Sequence, residues 1–133
     1  MVTSNPDLPE PVWDAEGRTA RLKQIALDLP EAQMVHVEAW DHPTFRVRNK
    51  NFVFAAADAS GISVKLPKEE AAWVVASVPG AQPTGYGLGR HGWVSVTTPP
   101  ADDDAGWRQM AEWIRESYRL IAPKTLGAKL DLP

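Results

Sequence analysis

At 133 residues the chain has the size of one domain, long enough to bury about two-thirds of its extended-chain surface around a single core. Apolar residues make up 44% and charged residues 23%, which excludes a disordered or fibrous chain, and a net charge of −3 opposes nucleic-acid binding by bulk positive charge. With no cysteine there can be no disulfide, thiolate metal site or cysteine nucleophile, and no apolar run approaches the roughly 18 residues of a membrane span.

In chain order, Pro6, Pro9 and Pro11 mark residues 1–13 as a mobile tail, leaving 14–133 as a single domain. From Met1 to Glu10, polar residues and prolines stand where a signal peptide would place a charged end and an apolar run, so the expected compartment is the cytoplasm. Asp14 is a suitable N-cap for a first helix, along which Leu22, Ile25, Ala26 and Leu29 recur at helical spacing until Pro30 closes it. Between Gln33 and Leu66 the period changes to two. Val35, Val37 and Ala39 alternate with His36 and Glu38. Phe45 and Val47 alternate with Arg46 and Arg48, and Phe52, Phe54 and Ala56 form a third run. Ile62, Val64 and Leu66 complete a fourth, and the short, turn-forming links between runs predict an antiparallel meander.

Pro67 suits the first position of a second helix, whose first turn carries Glu69 and Glu70 and whose inner face carries Ala71, Val74, Val75 and Val78. Residues 84–98 read as a hairpin, with a short strand near Tyr86, a turn through Gly87 to Gly92 and a second strand from Trp93 to Thr97. Asp102, Asp103 and Asp104 then open a third helix with an apolar stripe of Trp107, Met110, Ala111, Ile114, Tyr118 and Ile121. The order α-β(4)-α-β(2)-α predicts a two-layer α+β domain, an antiparallel sheet of five or six strands with helices on one face. The other face is then open. It would carry His36, Glu38, Arg46, Arg48, Ser63 and Lys65, joined by Trp93 and Ser95.

Several blocks in this order resemble the MmcQ/YjbR family of small bacterial proteins. They are Leu29-Pro30-Glu31-Ala32, Pro43-Thr44-Phe45-Arg46-Val47 with Lys50 and Phe52, Ser63-Val64-Lys65-Leu66, and Arg90-His91-Gly92-Trp93-Val94. Glu116-Ser117-Tyr118-Arg119-Leu120 and Ala122-Pro123-Lys124 follow. The resemblance spans nearly the whole chain after the tail. It implies a fold similar to frataxin-like and secretion-chaperone-like domains, and a DNA-binding label that family members often carry. The sequence departs from members in which the tryptophan follows the basic-histidine pair directly, because Gly92 intervenes.

From His42 to Lys68 five basic residues face only Asp58, a local excess of four in an acidic chain. Arg46, Arg48, Lys50, Lys65 and Arg90 are therefore the candidate phosphate-binding residues, with Trp93 as a stacking surface for a base. The competing reading is that strand cations merely solvate an exposed face and discourage edge pairing. Trp73 lies off the apolar stripe of its helix and is the candidate contact for a protein partner or a second copy. No cofactor, metal site or catalytic group is expected. Gly85-Tyr86-Gly87-Leu88-Gly89 lacks phosphate-loop spacing, the three aspartates suit a helix start better than a hard metal, and no serine sits in a nucleophile elbow. The expected function is a small binding protein, DNA-binding through the basic hairpin and open sheet face. The alternative is a protein–protein adaptor or dimeric scaffold, and an unrecognised enzyme is third.

Overall fold

A computed structural model describes residues 10–37 and 42–131, with side chains described from Ala15 to His36 and from His42 to Leu130. The first helix, α1, spans Glu10–Ala26 and takes in residues 10–13, which the proline pattern had placed in the tail. Pro11 is compatible with that start, because first-turn N–H groups have no intrahelical acceptor. The helix stops at Ala26, short of Leu29, as expected from the bias against helical backbone just before Pro30. Leu22, Ala26 and Leu29 still reach the core. Residues 1–9 of the proposed tail lie outside the described residues.

Four strands follow as the alternation predicts: β1 (Gln33–Val37), β2 (His42–Val47), β3 (Lys50–Ala55) and β4 (Gly61–Lys65). They form an antiparallel meander. Next come α2 (Lys68–Ser77), capped by Pro67, then β5 (Gln82–Pro83), β6 (Trp93–Thr97), α3 (Asp104–Ile121) and a short α4 (Lys124–Gly127). The six strands lie in the order β1-β2-β3-β4-β6-β5, every neighbouring pair antiparallel.

The late hairpin differs from its predicted form. Its first strand lies at Gln82–Pro83, and Tyr86 sits fully exposed in a loop with a positive φ of 60°. A 3-10 turn over Leu88–His91 then leads into β6. Gly92 closes that turn at φ 94°, where an added Cβ would collide with the Leu66 carbonyl oxygen, so only glycine lets the chain pass this close to β4.

The core lies between one sheet face and the helices. Phe45, Val53, Ile62, Val64, Val94 and Val96 meet Trp107, Met110, Ile114 and Tyr118 of α3, and α1 packs beside α3. Tyr118 donates to the Pro30 carbonyl at 2.6 Å and Trp107 Nε1 to the Pro100 carbonyl at 2.9 Å, so both large residues bury their rings with the polar end satisfied. Asp103 is the N-cap of α3, accepting from the Gly106 N–H at 3.0 Å, which is the helix-start role predicted for the aspartate run.

One irregularity decides which side chains face where. Phe45 pairs with Val53 but Arg46 pairs with Asn51, which leaves Phe52 as an extra residue on β3. This bulge turns Phe52 into the core, where its ring meets Tyr118 edge-on at 5.3 Å. Phe54, which simple alternation groups with Phe52 against the helices, lies instead on the open face.

Candidate functional site

Residues directly opposite one another across a ladder share a face, so the register assigns the open surface strand by strand. One row holds Gln33, Arg46 and Asn51. The next holds Val35, Thr44, Phe54, Ser63, Ser95 and Gln82, and beyond it Lys65 stands opposite Trp93. Arg46, Asn51, Phe54, Ser63, Lys65 and Ser95 are all partly exposed.

Three features organise this face. Arg46 donates through Nε to Asn51 Oδ1 at 2.6 Å, which orients its guanidinium; among the described residues its terminal nitrogens have no protein partner. Ser63, Ser95 and Thr84 link their hydroxyls in a chain of 2.8 and 3.0 Å contacts across β4, β6 and the end of β5. Phe54 and Trp93 reach over β4 to pack with ring centroids 5.2 Å apart and planes tilted by 59°. Trp93 is only 7% exposed, yet it stands outside the main core cluster because it covers the opposite side of the sheet.

Not every residue expected on this face is there. Arg46, Lys65 and Trp93 share it. Arg48 does not. It forms, with Asn49, a two-residue β2–β3 turn in which both have positive φ, and it grips Glu31 through two bonds of 2.6 and 2.9 Å. That bidentate pair holds the Glu31 carboxyl below its ordinary value and raises Arg48, so the guanidinium is already neutralised by a neighbour. Lys50 pairs with Val47 and therefore emerges on the helix side. His36, paired with Pro43, lies on the side of Phe45, while Glu38 lies outside the described residues. Arg90 sits on the exposed 3-10 turn, lining a groove with Trp93 at the β6 margin. Trp73 is 62% exposed on α2.

Asn51, Phe54 and the hydroxyl chain were not singled out from the sequence, although strand alternation offered Ser63 and Ser95. Phe54 was hidden by the bulge, which flips the apparent period. Among the described residues no group of three His, Asp or Glu side chains could hold a metal ion, and no helix is long and apolar enough to cross a membrane.

A family model described as YjbR matches residues 27–120, well over half the chain. The crystal structure of Deinococcus radiodurans protein DR2400, which carries the family domain DUF419, superposes with a TM-score of 0.68. That similarity covers 86% of this chain and 88% of DR2400 at 21% identity, a likeness of fold. No curated protein matches the chain.

Proposed function

The chain belongs to the YjbR family, and from that premise we propose that it is a binding protein whose contact surface is the open sheet face, with DNA as its ligand. In this reading Arg46 and Lys65 meet phosphates, while the partly exposed ring of Phe54, backed by the buried ring of Trp93, offers an apolar surface to bases. The observation that carries it is the register, which sets Arg46, Lys65 and Trp93 on one partly exposed surface. Binding is favoured over catalysis because this face pairs no acid with a base. The polar side chains in these rows are hydroxyls, three amides (Gln33, Asn51 and Gln82) and two cations.

Two cations set a modest electrostatic contribution. Counterion release from two phosphate contacts gives a log–log salt slope of about −1.8 for a duplex and about −1.4 for a single strand. Anisotropy titrations of labelled oligonucleotides across a salt series measure it. Arg46→Glu with Lys65→Glu should abolish the slope and the binding, whereas Arg48→Gln, already committed to Glu31, should change either little. Equal binding by wild type and the double charge reversal would sink the reading.

A second reading is favoured by one feature that the first leaves unused, the exposed indole of Trp73 on the far side of α2. It would serve as the contact with a second copy of the chain.

A further inference from the structure

We propose that the open sheet face takes single-stranded rather than duplex DNA, with Phe54 as the platform for one unstacked base; this rests on the DNA reading above and narrows it. Phe54 lies on β3, between Arg46 on β2 and Lys65 on β4, and all three side chains are partly exposed. Neighbouring strands are about 4.8 Å apart, so the strands that carry the two cations stand about 10 Å from each other, with the ring between them. A ring placed between phosphate-binding groups serves a base whose flat face is uncovered. In a duplex the faces are taken up by stacked neighbours, and extruding a base costs free energy; a single strand offers them directly. Magnitudes point the same way. Two phosphate contacts on a chain of net charge −3 give a duplex little hold, whereas stacking one base strengthens binding between about fivefold and about a hundredfold without further charge.

The surroundings of the ring suit that task. Trp93, itself buried, packs against Phe54 at a centroid distance of 5.2 Å, so the platform is supported before a ligand arrives and its ordering cost is lowered. Asn51 holds the Nε of Arg46 and leaves the two terminal nitrogens, unpartnered among the described residues, to meet a phosphate. Ser63, directly opposite Phe54 on β4, heads the hydroxyl chain that runs through Ser95 to Thr84. Three hydroxyls carry three protons and the chain uses two of them, so reversing its direction turns Ser63 from acceptor to donor. A hydroxyl beside the ring that serves either way does not restrict which base can stack there.

The test titrates the full chain at one low salt concentration with three labelled probes, read by anisotropy. They are a mixed-sequence single strand, the same strand annealed to its complement, and a strand of equal length whose bases are replaced by abasic sites. The natural single strand should bind at least about fivefold more tightly than either of the others. Phe54→Leu, which keeps an apolar side chain against Trp93, should remove that advantage and leave duplex and abasic affinities unchanged. Arg46→Glu with Lys65→Glu should weaken all three, because phosphates are common to them. Equal affinity for natural and abasic single strands, or a duplex bound as tightly as the single strand, would overturn the proposal and leave phosphate contact at Arg46 and Lys65 standing. The comparison of probes on the wild type decides this even if Phe54→Leu fails to fold. No binding of any probe would remove the DNA reading, and this inference with it.

Discussion

Ser117 is buried on α3, where its Oγ accepts from the Lys65 N–H at 2.8 Å and donates to the Phe52 carbonyl at 2.6 Å. Those two backbone groups would face each other directly if the β3–β4 ladder continued past Val53 and Val64. The bulge at Phe52 separates them, and a helix hydroxyl fills the break. Ser117→Ala therefore leaves a buried donor and a buried acceptor unpaired, and should lower unfolding free energy by about 1–3 kcal/mol. Urea denaturation measures the loss, and faster amide exchange at Lys65 than at its neighbours locates it. A variant as stable as wild type would show that water replaces the hydroxyl without cost. Nothing in the sequence marks Ser117 for this role, because a serine on a helix acquires such a partner only after the sheet has opened beside it. Arg48 is a similar case. Alternation with Arg46 placed it on the open face, but a two-residue turn with positive φ, and Glu31 within reach, redirect it.

At the scale of elements, Glu70 of α2 lies within electrostatic reach of two carboxylates on α3. Burial, and then the carboxylates of Glu116 and Glu112, raise the Glu70 carboxyl above its ordinary value. A raised acid binds its proton more tightly folded than unfolded, so this group's contribution to stability declines as pH rises through its folded value. Glu70→Gln should then raise the melting temperature at pH 7, by an amount kept small by solvent screening, and the gain should shrink on acidification to about pH 4, below the ordinary glutamate value. Thermal melts at the two pH values decide it; a gain of the same size at both would place its origin elsewhere. The elements themselves were largely legible. The four-strand meander, α2, β6 and α3 each stand where periodicity and prolines put them, because buried and exposed positions recur at the expected spacing over most of their length. β5 was misplaced because two residues are too few to show a period, and α4 went unread for the same reason. On the open face, Arg46 and Lys65 were correctly grouped, since both lie on the same alternation as buried neighbours. Phe54 was not, because the bulge reverses that alternation within a single strand.

Across the whole molecule, the net charge of −3 coexists with a sheet face on which the charged groups among the described residues, Arg46 and Lys65, are both positive. Such polarity orients the protein towards anions at long range without raising general affinity for them. Self-association through Trp73 is an assembly property and is tested as one. Sedimentation velocity over a concentration series should show a dimer that Trp73→Ala loses, and a monomer in both proteins at every concentration would remove the second reading. The shape of any assembly is also constrained by the two margins of the sheet. β5 is two residues long and ends in Pro83, which supplies no N–H, while β1 at the opposite margin has five residues and no proline. Strand addition between copies is therefore directed to β1. An antiparallel junction there would consume both β1 margins together and so close on itself as a twofold pair at that edge of the sheet.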